Sequence, residues 1–186
     1  MKKIALVTGV TSGIGKAAAI QLAEQNYDLI ITGRRKEKLD SLAAQIIDGF
    51  NCKVITLNFD VRCKDEVDTA IDSLEGNWKN IDVLVNNAGL AAGAEPIQDA
   101  LVDDWERMID TNIKGLLYIS RKVIPLMVKR KTGHIVNIGS VAGKQVYANG
   151  SVYCGTKHAV DAITQGMRID LLQHGIKVTQ IAPGAV

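Results

Sequence analysis

Six short β-rich runs, at 4–7, 29–31, 54–57, 83–85, 135–138 and 178–181, are mostly apolar on successive residues rather than on every second one. A strand with one wet face alternates apolar and polar residues, so runs of this kind predict strands covered on both faces. Between them lie longer segments of helical character, at 14–25, 36–47, 64–74, 104–129 and 151–174. In the first, Ile14, Ala18, Ala19 and Leu22 recur at helical spacing. Alternation on this scale predicts right-handed βαβ units and hence an α/β fold, a doubly wound parallel sheet with helices on both sides. The chain of 186 residues shows no repeat and no linker, so a single domain over 1–186 is expected.

Function classes narrow on charge and on cysteine and histidine usage. A net charge of +2 gives no reason to expect a nucleic-acid or membrane-surface partner. The dense basic run, Lys129-Arg130-Lys131, closes a helix-period segment, where cations complement the helix C-terminus. Cys52, Cys63 and Cys154 make no C-x-x-C pair, and with His134, His158 and His174 they form no metal-ligand spacing, so no metal site is expected. The lysines before residues 4–7 imitate the start of a signal peptide, but the apolar run breaks at Thr8-Gly9. The expected location is the cytosol.

The first strand runs into Thr8-Gly9-Val10-Thr11-Ser12-Gly13-Ile14-Gly15 and then a helix. Glycines there let the backbone approach a pyrophosphate, and the free N–H groups of a helix start bind anions. The spacing is G-x-x-x-G-x-G. The second strand ends Thr32-Gly33-Arg34-Arg35, where a dinucleotide fold reads the adenosine ribose. A carboxylate at that point would select the free 2′-hydroxyl of NAD. Two guanidiniums instead suit the 2′-phosphate of NADP, and Ser12, in the glycine loop, is expected to add a hydroxyl to the same phosphate.

The glycine loop, Asp60-Val61, Asn86-Asn87-Ala88-Gly89, Asn112, Ser140, Tyr153-x-x-x-Lys157 and Pro183-Gly184 together resemble the short-chain dehydrogenase/reductases in order and spacing, over the whole chain. The resemblance implies a Rossmann-type sheet of strand order 3-2-1-4-5-6, usually with a seventh strand, and NADP bound across the carboxyl ends. It implies that Asp60 and Val61 meet the adenine, that Asn87, Ala88 and Gly89 line the adenosine ribose, and that Pro183, Gly184 and Val186 face the nicotinamide. Residues 80–139 are similar to a narrower group, the NADP-dependent 3-hydroxy acid dehydrogenases, which act on serine, allo-threonine and related substrates. The family pattern continues beyond Pro183-Gly184 with a substrate-covering loop, a helix and a strand. The expectation is therefore that these residues are the ordered part of a longer protein.

The chemistry follows from a phenol and an ammonium four residues apart on one helix face. A tyrosine is a poor acid–base group near neutral pH, and a neighbouring Lys⁺ favours its phenolate. Tyr153 is expected to move the proton of a secondary alcohol while hydride moves to or from the nicotinamide. Ser140, just past a strand end, is expected to hold the substrate oxygen, and Lys157 also to bond the nicotinamide ribose. Asn112 is an odd choice inside a long helix, and the resemblance gives it a water that passes protons towards Lys157. Lys144 or Gln145 is expected to meet a carboxylate or polar group of the substrate. The small-molecule partner is an alcohol or carbonyl. The apolar residues of 104–129 and 151–174 predict a homo-oligomer, dimer or tetramer. Two other classes stay open, an NADP-binding sensor without catalysis and a sugar-nucleotide epimerase or dehydratase.

Overall fold

All six apolar runs form strands in the computed structural model, which describes residues 2–184. They are β1 (Ile4–Thr8), β2 (Asp28–Gly33), β3 (Val54–Asn58), β4 (Ile81–Asn86), β5 (Gly133–Ile138) and β6 (Ile176–Ile181). Every pairing is parallel, and the order across the sheet is β3-β2-β1-β4-β5-β6, as expected. Six strands make up the sheet among the described residues. The order reverses between β1 and β4, so the crevice at their carboxyl ends is the place where such sheets take ligands.

Successive residues on each central strand go to opposite faces, which explains the unbroken apolar runs. Ala5, Val7, Leu29 and Ile31 pack with Leu39, Leu42 and Ile46 under α1 (Gly13–Glu24) and α2 (Lys36–Gly49). Leu6, Ile30 and Leu84 join the opposite core, with Val67 and Ile71 of α3 (Lys64–Asp72). Burying each of these larger side chains contributes about 1.5–3 kcal/mol, so the middle of the sheet is the rigid platform for what lies at its edge.

The segment 104–129, expected as one helix, divides. α4 (Val102–Ile109) passes into a π-helical turn (Asp110–Gly115) before α5 (Leu116–Arg130). Lys129 and Arg130 occupy the last turn of α5, in keeping with the reading of the basic run. α6 (Ser151–Leu171) ends in a short 3-10 turn (Leu172–His174). Exposed apolar side chains remain on the outer faces of this layer, among them Ile109, Leu117, Ile169 and Leu172.

Candidate active site

β1 opens into the glycine loop at Gly9, which adopts φ +70 and lies so near the end of β4 that a Cβ would stand 2.8 Å from Ala88 Cα. A Cβ on Gly15 would stand 2.6 Å from Gly9 O and meet the Asn87 amide. Thr8 and Asn87 lock this contact. Asn87 Nδ2 donates to Thr8 O (2.9 Å) and Gly9 O (3.0 Å), while Thr8 Oγ1 accepts from the backbone N–H groups of Asn87 and Ala88, both at 3.0 Å. Ser12 stands at the N-cap of α1 without capping it, which leaves the helix-start N–H groups to an incoming anion.

A cavity of about 620 Å³ opens over this loop, walled by Gly9, Thr11, Ser12, Gly13, Ile14, Arg34, Arg35, Asp60, Val61, Asn87, Ala88 and Gly89, among others. The sequence-predicted dinucleotide residues from the first four strand ends thus come together. Arg35 reaches back over the loop, Nε donating to Thr11 Oγ1 (3.2 Å) and Nη2 to Ser12 Oγ (3.2 Å). Arg34 Nη1 lies 3.5 Å from Asp60 Oδ2. Arg62, which sequence reasoning passed over, grips that same oxygen through Nε (2.9 Å) and Nη2 (2.7 Å). Burial pushes the Asp60 carboxyl up, but the Arg62 hydrogen bonds and the charges of Arg62 and Arg34 outweigh it and hold the group below the usual carboxylate range.

At the other end of the crevice, Ser140 follows β5. Its Oγ accepts from Ala142 N (3.1 Å), which leaves its own hydrogen free to donate. Pro183 O accepts from Val141 N (2.9 Å), which places Pro183 beside Ser140; Gly184 follows, and Val186 lies outside the described residues. Tyr153 and Lys157 share the first turns of α6, with Lys157 Nζ 5.8 Å from the Tyr153 ring centroid. Lys157 is buried, donates to Ile138 O (3.0 Å), and is pulled down to about 8 by desolvation. A Cβ on Gly89 would stand 3.7 Å from Lys157 Nζ and 3.2 Å from Asn112 Oδ1, so the three converge.

The π turn accounts for Asn112. Its side chain is 2% exposed, and its amide braces the chain after β4: Nδ2 donates to Leu90 O (2.9 Å) and Oδ1 accepts from Leu90 N (2.9 Å). Nδ2 also donates to Thr156 Oγ1 (3.0 Å) on α6. An asparagine that is poor for a helix interior is kept by three hydrogen bonds to two neighbouring segments.

The sequence profile of the short chain dehydrogenase family matches residues 3–186. The chain belongs to this family. It is 48% identical over 183 residues to the NADP-dependent 3-hydroxy acid dehydrogenase YdfG of Salmonella typhi, covering 98% of this chain and 72% of that protein. It is 43% identical to sulfoacetaldehyde reductase 2 of Chromohalobacter salexigens, covering 99% and 73% of the two chains. The closed form of serine dehydrogenase complexed with NADP+ superimposes with a TM-score of 0.91 at 47% identity, covering 97% of this chain and 71% of that one.

In this short-chain dehydrogenase a second cavity, of about 290 Å³, lies against Tyr153, with walls that include Glu95, Asp104, Trp105, Met108, Tyr147 and Asn149. Neither Lys144 nor Gln145 lines it, which corrects the expectation from sequence. Lys144 Nζ is held 2.7 Å from Asp161 Oδ1 on α6, satisfying its charge away from the crevice. The charged residues lining this cavity are instead acidic: Glu95 Oε2 and Asp104 Oδ2 would stand 2.9 and 3.3 Å from a Cβ on Gly93. Of the histidines, His134 Nε2 lies 2.8 Å from Thr179 Oγ1 and His158 Nδ1 2.9 Å from Cys154 O. Among the described residues no group of histidine, cysteine and carboxylate side chains is placed to hold a metal, and no helix is long and apolar enough to cross a membrane.

Proposed function

We propose that this dehydrogenase moves hydride between NADP and the alcohol carbon of a small 3-hydroxy acid, with serine and allo-threonine foremost. The observation that carries the reading is the place of Lys157, over the ring of Tyr153, which lines one cavity, and beside Gly89, which lines the other. One domain, 1–186, therefore carries both the dinucleotide and the chemistry.

The residues present fit the cofactor. The contact of Gly9 and Gly15 with the end of β4 leaves the helix-start N–H groups for a pyrophosphate. Arg34, Arg35, Thr11 and Ser12 surround a place for the 2′-phosphate, while Asp60 and Val61 take the adenine. Asn87, Ala88 and Gly89 line the ribose, Asn87 through Oδ1 and backbone because its Nδ2 is committed to the loop. Pro183 and Gly184 are given to the nicotinamide end, as the family resemblance has them. NADP, when bound, supplies or takes up the hydride. Tyr153 removes the hydroxyl proton in oxidation and returns it in reduction, helped by the Lys157 ammonium. Ser140 donates to the substrate oxygen. Asn112 has spent three of its four amide hydrogen bonds, so its water relay to Lys157 runs through the second lone pair of Oδ1, or the main-chain carbonyl.

The carboxylates of the 290 Å³ cavity support an ammonium on the substrate, which favours 2-amino-3-hydroxy acids over a plain 3-hydroxy acid. The exposed apolar side chains Ile109, Leu117, Ile169 and Leu172 support a homo-oligomer built on the α4–α5 and α6 layer. The decisive assay follows the nicotinamide absorbance band with NADP+ or NAD+ and serine, allo-threonine or 3-hydroxybutyrate. Reduction of NADP+ by the amino-hydroxy acids, lost in Tyr153→Phe, is the expected result. Turnover of 3-hydroxybutyrate equal to that of serine would refute the ammonium reading, and activity retained by Tyr153→Phe would refute the mechanism.

A further inference from the structure

Most buried threonines of this chain pass their hydroxyl hydrogen to a main-chain carbonyl. Thr156 Oγ1 donates to Tyr153 O (2.7 Å), Thr164 Oγ1 to Val160 O (2.7 Å) and Thr8 Oγ1 to Val85 O (3.4 Å). Thr111 and Thr32 do not: among the described residues neither Oγ1 has a hydrogen-bond partner, and both residues wall the same cavity. Thr32 sits on β2, within the sheet, whereas Thr111, 6% exposed, sits on the π turn. A buried hydroxyl left unpaired is costly and calls for an explanation. Its position supplies one: Thr111 walls the dinucleotide cavity.

The π turn that carries Thr111 is pinned on both sides. Gly115, at its end, lies so close to the segment after β3 that a Cβ would stand 2.8 Å from Val61 Cγ2. Asn112, next in sequence, is bonded both ways to Leu90 after β4. Thr111 is thereby set between the Val61 and Gly89 sides of the cavity, the stretch that the proposed function gives to the adenosine half of the cofactor. A helical threonine has two accessible χ1 rotamers, and turning between rotamers brings the hydroxyl to where another substituent pointed. The buried hydroxyl of the free protein therefore has a way into the cavity.

We propose that Thr111 is a binding residue for the adenosine moiety, its hydroxyl turning into the cavity to hydrogen-bond a polar atom shared by NAD and NADP. The inference rests on the dinucleotide reading of that cavity. Nothing in it concerns the 2′-phosphate or the reacting carbon.

Calorimetric titration of the whole protein with ADP-ribose, NAD+ and NADP+ tests it, on the unaltered chain, Thr111→Val and Thr111→Ser. Valine keeps the shape and removes the hydroxyl. The expected result is that Thr111→Val weakens all three ligands by a similar factor of about five, the worth of one ordinary hydrogen bond. Thr111→Ser should bind within about twofold of the unaltered chain on the same scale. The thermal midpoint of ligand-free Thr111→Val should stay level or rise, because an unpaired buried group has gone. Thr111→Val that binds all three as tightly as the unaltered chain would overturn the proposal, leaving the hydroxyl a packing defect. A loss confined to NADP+ would overturn it as well, by placing the contact at the 2′-phosphate. An unaltered chain that binds none of the three would overturn the dinucleotide reading itself, and this inference with it.

Discussion

Lys157 carries a stability cost that can be measured separately from the part in catalysis proposed for it. The residue is 7% exposed, and desolvation lowers its ammonium from 10.5 to about 8 in the folded protein. Below pH 8 the lysine is charged whether the chain is folded or unfolded, and the full cost is present. Between about 8 and 10.5 the unfolded chain holds the proton and the folded one releases it, so folding becomes more favourable as pH rises through that window. The span from 10.5 to about 8, at about 1.4 kcal/mol per pH unit, comes to about 3 kcal/mol. Lys157→Met keeps the length of the side chain and removes the charge. Its packing and the lost bond to Ile138 O move the stability of the variant by an amount independent of pH, whereas the cost of the charge is not. Urea unfolding of both proteins from pH 7 to 10.5 should therefore show the unaltered chain gaining about 3 kcal/mol on the variant. A difference constant to within about 0.5 kcal/mol across that range would refute the reasoning, since it would mean the folded state holds the proton as tightly as the unfolded one.

Two further outcomes follow from the geometry. Replacing Arg34 and Arg35 together by alanine should weaken NADPH on the order of 100-fold and NADH only a few-fold, since charge-assisted hydrogen bonds to the 2′-phosphate are each worth about 1.5–3 kcal/mol. Equal losses in a fluorescence titration would show that the pair does not read the phosphate. Asn112→Ala leaves Leu90 N and Leu90 O without their partner and should cost roughly 3 kcal/mol, or about 6–12 °C in thermal midpoint. A loss under about 1 kcal/mol would mean that the segment after β4 is held by something else.

Strands and glycine loop were legible because each has one physical cause with a local signature. Burial on both faces leaves no polar phase in Ile4–Thr8 or Asp28–Gly33, and a loop that touches the end of β4 cannot carry a Cβ at Gly9 or Gly15. The π turn was half legible. Asn112 looked wrong for a helix interior, but apolar spacing over 104–129 is blind to a change of hydrogen-bond register. Arg62 gave no signal, because a cation at the start of a helix segment reads as an ordinary solvated side chain; only the fold brings both of its nitrogens onto Asp60. Lys144 misled for the converse reason. It follows Ser140 closely in sequence, yet the partner that fixes its direction, Asp161, stands seventeen positions on, brought to it by α6.

The turn at Asp110–Gly115 makes the two cavities interdependent. It touches three segments: Val61 after β3 through Gly115, Leu90 after β4 through Asn112, and Thr156 on α6 through Asn112 again. Val61 and Leu90 wall the dinucleotide cavity, and Thr156 sits one residue from Lys157 with its hydroxyl on Tyr153 O. The strand ends themselves are fixed by the sheet, but the segments leaving them are not, and a reaction between a cofactor and an alcohol needs both held to a fraction of an ångström. One helical turn with a buried amide holds both at once. Asn112→Ala should accordingly disturb cofactor affinity and turnover together, whereas Thr111→Val, one residue away, should change affinity alone. If the asparagine variant lost turnover with cofactor affinity intact, its bonds to Leu90 would be incidental to the dinucleotide cavity and its catalytic part would lie solely on the side of α6.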